Sequence, residues 1–438
     1  MANPSQALTA ATFGTASTTS PTAVFSSVFE AYAGPAFSIR LWDGRQWSSS
    51  PNAKPECTLV VANPDTLASL IAEPNEITLG EAFIHGDLDV EGDLFSVFSI
   101  VQHLLDRPRD MRQRIVEKLA RSLFGIGHWL NQGAVNSHGR DRASIAYHYD
   151  QPVGFFAPWL GNSLVYSCAY FRAVGDSLDE AQAQKLEHVC RKLRLQPGER
   201  FLDIGCGWGS LPLYAACERQ AHSEGITLSR EQAETAKRRI EHARLERSCK
   251  VHLRDYRELG ITDKTFDKIA SIGMVEHVGL KNLQKYFGIA HRLLRPGGLF
   301  LNHGIARAHL APVRESSFIE RYVFPDGRLV TLAQTVSAAE SQGFEVRDVE
   351  NLREHYELTL RRWVEGLTRN ADALLKDVSK MTYRIWLLYM AGSAAAFRRG
   401  DIGLYQVLLS KPDRGNSRLP LTREDLYAPQ ERRLGAEA

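Results

Sequence analysis

The stretch Phe201-Leu202-Asp203-Ile204-Gly205-Cys206-Gly207-Trp208-Gly209 reads as a buried strand that ends in a glycine-rich turn and opens a helix. Glycines at alternate positions let the backbone approach a ligand that any side chain would hold away. Asp203 stands at the strand end, where a carboxylate meets a cationic group or a hydroxyl. A pyrophosphate-binding turn needs G-x-G-x-x-G and would not welcome Asp203 beside its charge. The turn therefore reads either as a ligand turn of another kind or as a tight turn between any strand and helix.

Strand and helix signals alternate from Gln196 onward. Arg200–Ile204, Ser223–Leu228, Lys250–Leu253, Phe266–Ile272 and Leu299–Ile305 read as strands. Arg230–Ala243 and Leu280–Leu294 read as helices between them, the second closed by Arg295-Pro296-Gly297-Gly298. Alternation at this spacing predicts an α/β fold, a mostly parallel sheet covered on both faces. A nearly apolar helical segment, Ile385 to Phe397, is expected to be buried.

At 438 residues the chain exceeds one ordinary core. Residues 1–22, rich in Ala, Ser and Thr, read as a disordered tail. Residues 23–105 read as a smaller N-terminal α+β domain, clearest where turn residues separate short apolar pieces at 79–93. Within 106–144, Met111, Ile115, Leu119 and Leu123 recur every four residues among Arg107, Arg109, Arg112, Arg114, Lys118 and Arg121. That is a basic amphipathic helix. It is either a linker packed on the next domain or a helix drawn to anionic lipid headgroups, each base contributing on the order of 1 kcal/mol there. Residues 145–411 form the expected catalytic domain, and 412–438 a polar, loosely ordered tail.

A net charge of +2 selects no partner class and gives no sign of nucleic-acid binding. Six cysteines without a C-x-x-C pair suit a reducing cytoplasm and argue against disulfides or a metal site. The N-terminus has no secretory pattern and no run of eighteen apolar residues occurs, so a soluble or peripheral protein is expected.

In an open α/β sheet, ligands bind at the carboxyl ends of the strands. Asp203 to Gly209 follow the first strand, Glu276 and His277 the fourth, and His303 ends the fifth. Glu276 reads either as part of that crevice or as a helix N-cap neighbour, and His303 either as a site residue or as a satisfied strand-end histidine. Thr227 ends the second strand where a carboxylate could equally stand, with Gln232 on the following helix as a second polar side chain. Asp255 and Tyr256 offer a carboxylate and a ring face to a base. Tyr147-His148-Tyr149-Asp150 and Tyr166-Ser167-Cys168-Ala169-Tyr170-Phe171 form an aromatic cluster, unusually polar for a simple core.

D-x-G-x-G-x-G at Asp203 resembles the first motif of S-adenosylmethionine (SAM) methyltransferases, whose ligand carries no phosphate. The wider set is H-Y-D, Y-S-C-A-Y, L-D-I-G-C-G-W-G, G-I-T-L-S, S-I-G-M-x-E-H-V-G, H-x-I and Tyr389-Met390-Ala391-Gly392-Ser393-Ala394. In this order it resembles the cyclopropane-fatty-acyl-phospholipid synthase family over about residues 145–410. Segment 79–93 is similar to the N-terminal domain of the longer bacterial members, which makes it a candidate lipid-binding domain. The resemblance implies a Rossmann-like SAM methyltransferase fold. It implies that a cis alkene in a phospholipid acyl chain attacks the SAM methyl, and that the resulting cation loses a proton to bound bicarbonate as the ring closes.

Carried onto this sequence, the implied catalytic residues are Cys168, Glu276, His303 and Tyr389, and the implied bicarbonate pocket adds Gly273 and Ile305 to these four. Cys168 on this reading is an anion ligand rather than a nucleophile. SAM would meet Tyr149, Tyr166, Ser167, Asp203, Gly205, Gly207, Gly209, Thr227, Gln232, Asp255 and Tyr256. The resemblance also implies a cytoplasmic enzyme at the inner membrane face and leaves a homodimer open. Two positions depart from the family: Gln151-Pro152-Val153-Gly154, where many members carry a Leu-Gly-Asn-Asp-like stretch, and Ser393, where Cys is frequent. Both are expected to stand apart from the proton relay. The competing readings are a lipid C-methyltransferase forming a methyl or methylene branch, a small-molecule N-methyltransferase, and a non-catalytic lipid-binding protein.

Overall fold

The computed structural model describes residues 21–72, 75–106, 152–260, 265–308, 318–324 and 329–427. The expected basic helix, Tyr149 with its neighbours His148 and Asp150, and the two chain ends lie outside them. The chain divides into two units, residues 1–127 and 128–438.

The first unit is α+β. Its helices are α1 (Pro21–Val28), α2 (Pro64–Ala72), α3 (Glu76–His85) and α4 (Ser96–Asp106), and its strands β1 (Phe37–Arg40), β2 (Gln46–Ser48), β3 (Cys57–Val61) and β4 (Leu88–Gly92). The sheet order is β2-β1-β3-β4, with β1 and β3 parallel and the other neighbours antiparallel. Segment 79–93 contains the end of α3 and all of β4. Phe29, Phe37, Ile39 and Leu88 anchor the core.

The second unit is a seven-stranded sheet of β5 (Arg200–Ile204), β6 (His222–Thr227), β7 (Cys249–Leu253), β8 (Phe266–Ile272), β9 (Leu294–Arg307), β10 (Glu345–Asn351) and β11 (Ile402–Ser410). The order is β10-β11-β9-β8-β5-β6-β7. Strands β5 to β9 pair in parallel, while β11 and β10 add antiparallel at the β9 side. The longer helices are α5 (Val153–Leu160), α6 (Leu178–Lys192), α7 (Ser210–Arg219), α8 (Arg230–His242), α9 (Leu283–Leu293), α10 (Leu332–Glu340), α11 (Arg353–Arg369) and α12 (Lys380–Arg399).

Both sheet faces are covered, and strand alternation shows how. Phe201, Leu299 and Leu301 pack against Leu186 and Val189 of α6. The intervening Leu202 and Phe300 pack on the other face with Tyr286 and Phe287 of α9. Burying one such side chain contributes about 1.5–3 kcal/mol.

Three expectations are corrected. Arg295-Pro296-Gly297-Gly298 does not close the preceding helix; it lies inside β9, where a register shift against β8 between Phe266 and Lys268 absorbs it as a bulge. His303 does not end its strand, because pairing with β11 carries β9 on to Arg307 opposite Ile402. The C-terminal tail is tied down as far as Tyr427: Arg194 grips Asp425 at 2.7 and 3.0 Å, and Arg423 meets Asp348 at 3.0 Å. Among the described residues no helix is long and apolar enough to cross a membrane. Nor, among them, does any group of three His, Cys, Asp or Glu side chains offer a metal site.

Candidate active site

From β5 the chain runs to β6 and β7 on one side and later returns to β8 on the other, so strand order reverses beside β5. Loops leaving β5 and β8 diverge there and open a cleft. Its walls include the Gly205–Trp208 turn, Thr227, Gln232, Asp255, Tyr256 and Gly273.

The turn is anchored to β6, since the N–H groups of Gly205 and Cys206 both donate to the Ile226 carbonyl at 3.0 and 2.9 Å. Gly207 has φ +54° and no atom within 4 Å of where a Cβ would project. Gly209 is different. Its φ is +81°, and a Cβ there would lie 2.9 Å from Cβ of Ala236 on α8. Gly209 is therefore a packing glycine and does not line the cleft. Arg239 of α8 holds the turn from behind, donating to the carbonyls of Trp208 at 2.7 Å and Ser163 at 3.1 Å.

Asp203 is 3% exposed, and its Oδ1 has no protein partner among the described residues. Burial pushes its carboxyl up to about 7, opposed by the nearby Lys185 ammonium. Lys185 of α6 also lines the cleft and donates to Ser167 Oγ at 3.0 Å. Burial lowers Lys185 to about 8, against the pull of Asp203. Gln182, one turn earlier, donates to the Ser167 carbonyl at 2.9 Å, so α6 positions the Tyr166–Ser167 wall.

On the β6 side, Thr227 Oγ1 donates to Gln232 Oε1 at 2.7 Å, and Ser229 caps α8 through the Gln232 N–H at 3.3 Å. Asp255 lines the cleft, but its carboxylate is engaged by Arg257: the backbone N–H at 2.8 Å and Nη2 at 2.6 Å. Tyr256 presents the other wall, its ring edge-on to Tyr286 at 5.6 Å.

Next to this cleft lies a second group. Glu276 sits in a single 3₁₀ turn after β8. Its Oε1 accepts the Ile305 N–H at 2.7 Å, and its buried Oε2 has no partner among the described residues. Burial pushes its carboxyl up to about 7, against the lowering by the Ile305 bond. Tyr389 of α12 is coupled electrostatically to Glu276. Burial raises its phenol to about 12, against lowering by the nearby Tyr166 and Ser393 hydroxyls. Ser393 is one turn beyond Tyr389 on α12, close enough to lower its phenol, so this departure stands nearer the relay than expected. His277 lines the cleft and is exposed. Its ring is 5.6 Å from Phe324, which in turn is 5.8 Å from Tyr389.

His303 is 1% exposed; its Nδ1 is 3.1 Å from Gln406 Nε2, and its Nε2 has no partner among the described residues. Burial first, then the charges of Lys185 and Lys192, lower its imidazole to about 3.

The structure thus brings Tyr166, Ser167, Asp203, Gly205, Gly207, Thr227, Gln232, Asp255, Tyr256 and Gly273 to one cleft. Glu276 and Ile305 are bonded to each other, and Tyr389 is coupled to Glu276. It also removes donors from the anion pocket. The Gly273 N–H is given to the His303 carbonyl at 2.9 Å and the Ile305 N–H to Glu276. The Cys168 thiol donates to the Ala169 carbonyl at 3.1 Å, next to Thr359. Burial raises that thiol well above its ordinary range, which disfavours a thiolate. The aromatic cluster splits likewise: Tyr166 faces the cleft, whereas Tyr170 stacks between His188 and His355 at 4.2 and 4.8 Å.

Lys185, Arg239 and Gln406 were not anticipated. Two carried a signal: Lys185 lies four residues from each of the buried Ala181 and Val189 on α6, and Gln406 alternates with Leu404 and Leu408 on a buried strand. A polar side chain at a core position asks for a partner.

The mycolic acid cyclopropane synthetase family matches residues 136–407. A domain family of unknown function matches residues 24–106. A protein of Pseudomonas putida described as a probable fatty acid methyltransferase is 40% identical over 396 residues, covering 89% of this chain and 95% of its own. The cyclopropane-fatty-acyl-phospholipid synthase of Escherichia coli K12 is 33% identical over 363 residues, covering 82% and 89%. The structure of mycolic acid cyclopropane synthase CmaA1 complexed with SAH and CTAB superposes with a TM-score of 0.58 at 33% identity. It covers 63% of this chain and 99% of that one.

Proposed function

This chain belongs to the mycolic acid cyclopropane synthetase family, and from that premise we propose that it transfers a one-carbon unit from SAM to the alkene of a lipid acyl chain. The finer reading is cyclopropanation of unsaturated phospholipid acyl chains at a membrane surface. One observation carries it: the glycine cleft fitted for a nucleoside-bearing donor adjoins a buried carboxyl, Glu276, coupled to the Tyr389 phenol.

SAM, when bound, supplies an electrophilic methyl carbon, and a bound bicarbonate supplies a base for the proton lost as the ring closes. The residues fit these groups in part. Gly207 leaves room for a ligand against its backbone, and Asp203 Oδ1 offers an unused acceptor to an ammonium or a hydroxyl. Thr227 holds the Gln232 carboxamide by its oxygen, which leaves the NH₂ to donate. For an anion, Tyr389 offers a hydroxyl, His303 Nε2 an unused position, and Glu276 Oε2 an acceptor for an O–H proton. Glu276 and Tyr389 sit in low-dielectric surroundings, where excluded water leaves few competing nucleophiles for a cation.

The fatty acid methyltransferase named among the relatives favours a second reading, in which proton loss elsewhere leaves a methyl or methylene branch. Incubation with SAM and either unsaturated phospholipid vesicles or free unsaturated fatty acids tests both. A gain of one CH₂ by mass spectrometry, with ring protons in the product NMR, supports cyclopropanation. An exocyclic alkene or methyl signal moves the assignment to branching, and no mass gain on any lipid removes the proposal.

A further inference from the structure

His303 belongs to a row that crosses four strands. Ile272 of β8 stands opposite His303 of β9, His303 opposite Gln406 of β11, and Gln406 opposite Glu350 of β10. Side chains in such a row project to the same face of the sheet. The His303–Gln406 contact is buried, with Gln406 0% exposed and 3.1 Å between its amide nitrogen and His303 Nδ1.

We propose that Gln406 is a positioning residue that locks His303 as the neutral Nε2–H tautomer, making it a hydrogen-bond donor toward the site rather than a base. A carboxamide nitrogen only donates, so Nδ1 must accept. A neutral imidazole has one donor and one acceptor; with Nδ1 accepting, Nε2 carries the proton. His303 Nε2 and Gln406 Oε1 are both buried and left without a protein partner among the described residues. Catalytic and metal-ligating histidines commonly have the opposite arrangement, a carboxylate or carbonyl taking the Nδ1 proton so that Nε2 presents a lone pair.

The groups around the row support a neutral ring. Lys185 and Lys192 both oppose protonation, while Glu350 favours it and His188 opposes it. Glu350 is held by Lys192 at 2.6 Å and His188 at 2.7 Å, so its charge is already balanced behind Gln406. A neutral donor can hold an anionic base without handing it a proton, which an imidazolium would do. The part played in turnover rests on the function proposed above; the tautomer itself does not.

The experiment uses the full chain with ¹⁵N-labelled histidine, with His303 assigned from the His303→Asn spectrum. Long-range ¹H–¹⁵N correlation is expected to show a pyridine-type Nδ1 and a protonated Nε2, unchanged across neutral pH. In Gln406→Glu the carboxylate accepts a proton from Nδ1, so the spectrum should switch to Nδ1–H or to imidazolium. Lipid turnover should fall on the order of 10- to 100-fold, with SAM affinity retained. A wild-type His303 protonated on Nδ1 overturns the proposal, as does a Gln406→Glu enzyme with unchanged tautomer and turnover. The wild-type spectrum decides even if the variant does not fold. A wild type with the expected tautomer but no activity on any lipid supports the lock and defeats the functional reading alone.

Discussion

Glu276 Oε1 accepts the backbone N–H of Ile305 at 2.7 Å, while Oε2, equally buried, meets no protein donor among the described residues. This bond ties the turn after β8 to the neighbouring strand β9 and fixes which carboxyl oxygen is left for chemistry. It is also the reason a carboxyl can be used here: a charge held this deep is costly unless it gains partners.

Replacing Glu276 with Gln keeps an oxygen for Ile305 and removes the acid. Turnover should fall about 10²- to 10⁴-fold, the range of a lost acid–base group. SAM affinity, measured by calorimetry, should stay nearly unchanged, because the cleft walls that face the donor are untouched. Undiminished turnover would take Glu276 out of the mechanism.

The same variant has a pH signature. Glu276 has its folded pKa raised to about 7 by burial, so the folded state holds its proton more tightly than the unfolded chain does. Its contribution to stability is fully present below the unfolded value and is lost as pH rises through about 7. Glu276→Gln should therefore raise Tm relative to wild type at pH above that value and by little in mild acid. An equal change in Tm at both ends would show that the carboxyl is not raised.

Gly207 and Gly209 separate ligand room from packing room. Alanine at either position adopts a left-handed backbone at a cost of roughly 1–2 kcal/mol. At Gly209 the new methyl also meets Ala236, whereas at Gly207 it enters open cleft. Gly209→Ala should show the larger drop in Tm, and Gly207→Ala the larger loss of SAM affinity. The reverse ranking would mean that the donor lies along the other side of the turn.

Thr227→Val deletes the hydroxyl that holds Gln232 at 2.7 Å in a buried setting. Leaving that carboxamide oxygen unsatisfied costs about 1–3 kcal/mol. Freed from Thr227, Gln232 should lose its fixed aim into the cleft, and SAM Kd should rise by roughly 5- to 100-fold, a conversion at 1.4 kcal/mol per decade. A Kd within twofold of wild type would show that Gln232 does not hold the donor.

Much of the scaffold was legible in the chain because the relevant signals are local. Strand and helix signals alternate from β5 to β9, with apolar residues clearest in β5, β8 and β9, and Gly205, Gly207 and Gly209 mark the turn. β10 was not legible: Glu345-Val346-Arg347-Asp348-Val349-Glu350-Asn351 is polar, as an edge strand tends to be. Gly209 illustrates the limit within a motif, since sequence spacing treats it like Gly207 while α8 occupies the space beside it. Ser393 shows the same limit at a distance, far from the glycine turn in sequence yet one helical turn from Tyr389, whose phenol it lowers.

By itself the sequence determined an α/β fold with a ligand turn that excludes phosphate, because backbone freedom, apolar period and the charge on Asp203 are properties of neighbouring residues. Only the tertiary structure decided which polar groups remain to act. Ile305, Gly273 and Cys168 give their donors to Glu276, His303 and Ala169, whereas Lys185 and Gln406 are drawn in from α6 and β11. A hydrogen bond is set by ångström-scale separation across strands and helices remote in sequence, and that separation exists only once register and packing are complete.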